Sequence, residues 1–335
     1  MKDHYKLKKD RKLRIVFLGN PGYGGEILSE LLKCNVNVIA VFTKSKNRLH
    51  NLKRFIKFKL SSFKKFNTLS NNIVDKLETY GSDSLKFENF GKSVEKALID
   101  SKVNIFDGSA INKKDNIEIM KKWNIDLILV ATFGEFLSAS VLDLPQYGCI
   151  NIHPSLLPKY RGGFPEFCTV MNGDESSGIT FHYMEPSFDT GDIIFQKEID
   201  LEEGTNTINL KKQLSNVACE NLNLVIEKIR LGNIEKVRQS SSDVSYCSID
   251  SNTHIINKKM SVAQIKNKIF SHQGENFDPY FFLGNEKVRV LSCGESGYSF
   301  DAYDGRIVFD IIKYKKRIYS KELINQIFPS QYSSK

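Results

Sequence analysis

The chain has 335 residues, 48 Lys and Arg against 39 Asp and Glu, and a formal net charge of +9. That length exceeds one typical hydrophobic core and sets an expectation of about two domains. A hydrophobic fraction of 41% with 23 phenylalanines is enough to build a real interior, and no apolar run approaches the length of a membrane span, so disordered and membrane-spanning classes are excluded.

The opening "MKDHYKLKKDRKL" is charged and has no apolar core behind a cleavage site, so no secretory signal is expected and the chain reads as cytoplasmic. Cys34, Cys149, Cys168, Cys219, Cys247 and Cys293 are far apart and form no CxxC pair. The expectation is six free thiols in a reducing compartment, with neither a disulfide frame nor a zinc site. The positive charge is concentrated. Between Lys44 and Lys65 stand nine basic residues (Lys44, Lys46, Arg48, Lys53, Arg54, Lys57, Lys59, Lys64 and Lys65) and no acid, a sum equal to the net charge of the whole chain. Such a strip suits phosphates of RNA, a nucleotide-linked substrate or anionic lipid, and it equally suits a solvated surface loop.

In chain order, "LRIVFLGNPGYGGEILSELL" reads as a buried strand, a Gly-rich turn and an amphipathic helix, and "VNVIAVFT" as the next strand. Two β-α-β signals so early predict a parallel sheet with helical crossovers. The turn "GNPGYGG" does not keep the G-x-G-x-x-G spacing, and no acid ends the following strand, so a dinucleotide site is not expected. From Lys44 to Asp115 the chain is polar and irregular, with one short strand candidate at "VNIFDG". "NKKDNIEIMKKWN" reads as a helix, "IDLILVATFGEFL" as an apolar strand running into a loop, and Cys149 to Ile152 as one buried strand. His153 and the loop "ATFGEFL" therefore both fall at carboxyl ends of central strands, the edge where open α/β sheets bind ligands.

Further on, "GITFHYMEPSFDTGDIIFQKEI" alternates and turns as a hairpin with Asp189 at its bend, and "NTINLKKQLSNVACENLNLVIEKI" is a long amphipathic helix. After the Ser-rich joint "RQSSSDVSYCS" the character changes to a helix capped by Ser261 and two strand pairs, with Asp304-Gly305 as a hairpin turn. The predicted organisation is a Rossmann-like α/β domain, a mostly parallel sheet with helices on both faces, over residues 12–240, followed by a small mostly β domain over 246–325.

Asn151 supplies an amide donor, His153 a group that titrates near neutrality, and Asp189 a carboxylate. Residues two apart on a strand share a side, so Asn151 and His153 face the same way. If the "DTGD" bend folds back over that edge, the three surround one reacting carbon. Amide and imidazole then stabilise an oxyanion while the carboxylate takes an amine proton. His153, His182 and Asp189 also suggest a metal set, but their spacing is not that of zinc ligands. A structural histidine and a plain turn remain open alternatives on spacing alone.

"NIHPSLLPKYRG" resembles the signature of the folate-dependent formyltransferases, an N-x-H-x-S-L-L-P-x-x-R-G segment followed by a D-x-G bend. The likeness continues through "GITFHYMEPSFDTGDIIF" and through "DLILVATFGEFL", and residues 246–325 resemble more weakly the small C-terminal domain of longer members. The resemblance implies Asn151, His153 and Asp189 as catalytic triad. Phe133, Gly134, Glu135, Phe136 and Leu137 would line the pterin site, Ser155, Lys159 and Arg161 would bind substrate, and Gly162 and Gly163 would let the loop pass close to the acceptor. It implies formyl transfer from N10-formyltetrahydrofolate to an amine without a metal.

Within that family, length argues against the glycinamide ribonucleotide enzymes, and a sheet starting by Leu13 argues against the formylfolate hydrolases. "HPSLLPKYRG" and "FHYM" look more like the enzymes that formylate nucleotide-linked amino sugars (dTDP- or UDP-type) for O-antigen and other surface polysaccharide. In the methionyl-tRNA formyltransferases the first segment usually reads "HGSLLPRWRGAAPI", whereas this chain has Pro154, Tyr160 and "GGFPEF". The sugar-modifying reading is favoured and the initiator Met-tRNA reading is the alternative, since the basic strip lies where the tRNA enzymes carry a loop contacting the acceptor stem. A third reading, of another class, is a basic RNA- or membrane-surface-binding protein on a formyltransferase fold. The exposed face of the C-terminal strands is a candidate for pairing two chains into a homodimer, with no interface legible.

Overall fold

The structure, a computed structural model, describes residues 11–20, 22–43, 103–275, 277–314 and 317–320. The strip from Lys44 to Lys65 lies outside the described residues.

β1 (Leu13–Gly19) reads LRIVFLG and is buried almost throughout, as a strand covered on both faces must be. It lies parallel between β2 (Val36–Thr43) and β4 (Leu127–Ala131), whose sequences VNVIAVFT and LILVA are equally rich in β-branched residues and leucine. β3 (Asn104–Asp107) pairs parallel with β2, and β5 (Cys149–His153) pairs parallel with β4. β6 (Ser176–Tyr183) then runs antiparallel to β5, and β7 (Ile193–Asp200) closes a seven-stranded sheet of order β3-β2-β1-β4-β5-β6-β7. The sheet is mostly parallel, as predicted, and the strand order reverses between β1 and β4. That is the topological switch point at which doubly wound sheets leave a crevice beside the carboxyl strand ends.

The first crossover is α1 (Tyr23–Leu31) and the crossover into β4 is α2 (Lys114–Lys121), with a short α3 (Ala139–Leu142) before β5. The Gly-rich turn before α1 has a packing reason. A Cβ at Gly24 would lie 2.7 Å from the Ala131 carbonyl oxygen, and one at Gly19 would lie 2.9 Å from the same atom. These glycines let the start of α1 pass over the end of β4, so the turn needs no bound pyrophosphate to account for it. Val16, Leu18, Phe42, Ile128, Val130 and Phe133 sit in one core cluster with Leu137 and Cys149.

The described residues fall into two compact units. One comprises the described residues within 11–153, 179–196 and 215–239, and the other those within 154–178, 197–214 and 240–320. In the second, α4 (Pro165–Asn172) opens with Pro at its start and ends at Gly173 in the left-handed region, the usual asymmetry of helix ends. α5 (Thr207–Leu231) is the long amphipathic helix. α6 (Val262–His272) begins at a capping box in which Ser261 and Gln264 satisfy each other's backbone donors, as the Ser261 signal predicts.

A separate antiparallel sheet of order β11-β10-β9-β8 is formed by β8 (Tyr280–Leu283), β9 (Glu286–Asp301), β10 (Arg306–Tyr314) and β11 (Arg317–Ser320). Its core holds Phe281, Val288, Val290, Tyr298 and Phe309. The β9–β10 hairpin turns at Asp304-Gly305, where Arg306 pairs with Asp301. Among the described residues no helix is long and apolar enough to cross a membrane.

One expectation is overturned. The six cysteines read as free thiols, but Cys168 on α4 and Cys247 form a disulfide across a sequence separation of 79, with their Cα atoms 5.7 Å apart. Backbone pairing produces the approach: Arg161 N–H donates to the Ser245 carbonyl at 2.9 Å, and Arg161 and Tyr246 form an isolated parallel bridge. This lays the 245–247 segment beside the chain leading into α4. Cys34, Cys149, Cys219 and Cys293 are free.

Candidate active site

β5 ends the parallel run of the sheet, and its side chains alternate. Ile150 and Ile152 are buried, and Asn151 and His153 share the other side. His153 is the last strand residue and is itself buried. The antiparallel register sets Asn151 opposite His182 and His153 opposite Thr180. Thr180 is held in turn by a hydrogen bond donated from Gln196 Nε2 at 2.9 Å.

Between β6 and β7 the chain bends back and brings Asp189 to these residues. Asp189 adopts φ of 51°, in the left-handed region that asparagine and aspartate visit more readily than other non-glycine residues. Two residues on, Gly191 is fixed by space, because a Cβ there would lie 2.0 Å from the Tyr183 carbonyl oxygen.

The carboxylate divides its oxygens. Oδ1 accepts from Asn151 Nδ2 at 3.2 Å and lies 3.4 Å from His182 Nε2, while Oδ2 lies 3.6 Å from His153 Nδ1. The Asn151 amide nitrogen is also 3.3 Å from His182 Nε2. Asn151, His182 and Asp189 thus close a triangle of polar atoms, with His153 on the carboxylate's other side. His182 Nδ1 lies 2.8 Å from the Tyr183 carbonyl oxygen. A carbonyl only accepts, so Nδ1 carries the proton of this contact, and Nε2 faces both the Asn151 amide and the Asp189 carboxylate.

The loop after β4 flanks the same edge. Thr132 has φ of 52°, and the Asn20 amide donates to the carbonyls of Thr132 and Phe133 at 2.8 and 3.1 Å, tying the loop to the end of β1. Of the five residues expected to line a pterin site, Phe133 and Leu137 are anchored in the core, so their side chains hold the loop down and do not project from it. Gly134 and Phe136 are exposed and Glu135 is half-buried. The Phe136 ring meets Phe188, the residue before Asp189, edge to face at 6.3 Å. Both rings are exposed beside the carboxylate-bearing bend.

The three residues expected to bind substrate belong to the other unit. Ser155 is buried and its hydroxyl donates to the Lys159 carbonyl at 2.7 Å, so it braces its own loop. Lys159 is exposed and Arg161 is buried. Gly162 takes φ of 91° and needs glycine for that reason, whereas a Cβ at Gly163 would meet open space.

No group of three or more His, Cys, Asp and Glu among the described residues could hold a metal ion. What the geometry offers is a set of polar groups around one point at a strand end: an amide, two imidazoles and a carboxylate.

A sequence profile of the formyl transferase family matches residues 13–226, which hold all of these groups. The chain belongs to the formyl transferase family. It is similar to the methionyl-tRNA formyltransferase of Thermotoga maritima, with 32% identity over 281 residues covering 83% of this chain and 78% of that one. Among solved structures, a 4-N formyltransferase from Francisella tularensis shares the fold with a TM-score of 0.58 at 20% identity, covering 83% of this chain and 97% of that one. The Helicobacter canadensis N-formyltransferase, solved with folinic acid and dTDP-3-aminofucose, shares it with a TM-score of 0.58 at 17% identity, covering 89% and 99%. At such identities the likeness establishes the fold, and the formyltransferase assignment rests on the family match and the sequence relatives.

Sequence reasoning weighed His182 only as a metal ligand. The signal for its place beside Asn151 was the alternation of "GITFHYM", which sets Thr180 and His182 on one face of a strand. Knowing which residue they oppose needs the β5–β6 register.

Proposed function

We propose that this formyltransferase transfers the formyl group of N10-formyltetrahydrofolate to the amine of a nucleoside-diphosphate-linked amino-deoxy sugar. The observation that carries the reading is the meeting of Asn151, His153 and Asp189 at the carboxyl end of β5. N10-formyltetrahydrofolate supplies an activated formyl carbon bound to a nitrogen that departs as an amine.

Asn151 directs an amide donor at the site where the formyl oxygen gains negative charge. Asp189 removes a proton from the attacking amine as the new carbon–nitrogen bond forms. His153 delivers a proton to the departing folate nitrogen as the old bond breaks, so charge and protons balance over the step. In the resting geometry the Asn151 amide donates to Asp189 Oδ1 and lies 3.3 Å from His182 Nε2, so substrate binding exchanges one of these contacts for the formyl oxygen. No metal enters this step.

The exposed Phe136 and Phe188 rings offer apolar surface to a flat pterin, together with the backbone of Gly134 and Glu135. For the acceptor, the reading draws on the "HPSLLPKYRG" and "FHYM" segments and on the fold shared with the Helicobacter canadensis enzyme. Lys159 and Arg161 are the candidate partners of its diphosphate. A product of this class, an N-formylated sugar nucleotide, is a building block for surface polysaccharide.

Initiator Met-tRNA is the second reading, favoured by the 32% identity to the Thermotoga maritima enzyme. Tetrahydrofolate release is the test, with dTDP- and UDP-linked amino sugars and, separately, charged initiator Met-tRNA. Rapid release with one sugar nucleotide supports the proposal. Release with tRNA alone replaces the acceptor, and silence with both leaves an RNA- or membrane-binding role, for which RNA affinity should fall steeply with salt.

A further inference from the structure

We infer that Gln239 is a positioning residue for the reaction, holding the bend that presents Asp189. The inference rests on the proposed role of Asp189 as proton acceptor. The Gln239 side-chain amide donates to the Asp189 carbonyl at 2.8 Å and to the Gly191 carbonyl at 2.8 Å. One amide group thus uses both of its hydrogens to bridge two carbonyls of the same bend, which is all the donor capacity it has.

The placement follows from the backbone. Ile193 and Val237 form an isolated antiparallel bridge with both N–H groups donating across it at 2.8 Å. Continuing that register by two residues sets Gln239 opposite Gly191, where its side chain reaches back to residue 189. The opposite side of the bend is closed by Tyr183 N–H donating to the Asp192 carbonyl at 2.9 Å.

The bend needs such a tie. Asp189 sits in the left-handed region, where a residue bearing a Cβ is disfavoured unless its surroundings fix it. Its carboxylate stands 3.2 to 3.6 Å from three partners, a geometry that a small rotation of the bend would break. Gln239 touches no reacting atom in this scheme, and its effect passes through the Asp189 backbone.

The substitutions that separate this role from bulk stability are Gln239→Ala and Gln239→Glu. The glutamate keeps the shape but only accepts when ionised, so it faces two carbonyls with no donor. When protonated it restores one O–H donor. With the wild type's active acceptor, we expect Gln239→Ala to lower kcat about 10- to 100-fold, with folinic acid affinity and thermal midpoint near wild type. Gln239→Glu should be at least as slow at neutral pH and should recover activity relative to wild type as pH falls into the carboxyl range. In an Asp189→Ala background, Gln239→Ala should cause no further loss.

A readout independent of acceptor is amide hydrogen exchange across residues 186–192, which Gln239→Ala should accelerate. Wild-type kcat or unchanged exchange in Gln239→Ala overturns the inference while Asp189→Ala remains inactive. Retained activity in Asp189→Ala instead removes the reading on which the inference stands.

Discussion

Asn151 and His182 face each other across antiparallel β5 and β6, and their side-chain nitrogens meet at 3.3 Å. His182 also lies 3.4 Å from Asp189 Oδ1, so it backs both the amide and the carboxylate of the proposed centre. Its Nδ1 is committed to the Tyr183 carbonyl, which fixes the ring. Replacing His182 by alanine removes the ring against which the Asn151 amide rests and opens space behind Asp189. The expected outcome is a fall in kcat of about 10- to 100-fold with the fold intact, a misplacement effect rather than loss of a proton carrier. Steady-state kinetics with circular dichroism checks it, and unchanged kcat would show that Asn151 and Asp189 hold their places without the ring.

The Cys168–Cys247 disulfide joins two residues of the second unit across a sequence separation of 79, and Cys168 packs with Phe167 and Tyr160. Chain entropy makes closing a loop of that length worth about 4 kcal/mol, chiefly by restricting the unfolded chain. Adding a strong reductant should lower the urea midpoint accordingly. Thiol titration of the denatured, unreduced protein should find the four free cysteines, not six. Six titrating thiols and a reductant-insensitive midpoint would contradict the pairing.

His272 provides a pH dependence of stability with a definite sign. Burial lowers its pKa from 6.5 to about 4, against the hydrogen bond to Lys268. Its Nδ1 donates to the Lys268 carbonyl at 2.6 Å, so its Nε2, 3.0 Å from His254 Nδ1, accepts from that ring. Protonating Nε2 would set two N–H groups against each other. Burial also lowers the pKa of His254, and that of Lys268 to about 8, so neighbouring positive charge reinforces the direction.

Because the folded pKa lies below the unfolded one, the unfolded chain binds more protons between about 4 and 6.5, and stability rises with pH there. Acidification from pH 6.5 to 4 should therefore remove about 3 kcal/mol through this residue. Urea unfolding of wild type and His272→Gln across that range checks it, since the variant should lose that share of the pH dependence. An equal slope in both would place the acid sensitivity elsewhere.

Much of this architecture was legible in the sequence because it is written in local pattern. "LRIVFLG", "LILVA" and "CINIH" are apolar runs of strand length that put His153 at a strand end, and the alternating "GITFHYMEPSFDTGDIIFQKEI" puts Asp189 at a hairpin bend. The Ser261 cap and the Asp304-Gly305 turn are equally local signals. What stayed hidden depends on which distant segments lie side by side. The partner of Asn151 follows from the β5–β6 register, and the partner of Cys168 from the bridge between Arg161 and Tyr246. Phe133 and Leu137 share the loop of Phe136 yet turn into the core, which no period in so short a segment could reveal.

The central claim is that Asn151, His153 and Asp189 together perform formyl transfer. Single-turnover formation of tetrahydrofolate from N10-formyltetrahydrofolate, with the active acceptor in excess, tests it most directly in Asn151→Ala, His153→Ala and Asp189→Ala. Each substitution is expected to slow transfer by about 10²- to 10⁴-fold, while thermal unfolding and folinic acid affinity stay near those of the wild type. Near-wild-type transfer in any one variant would remove that residue from the chemistry, and near-wild-type transfer in all three would contradict the account.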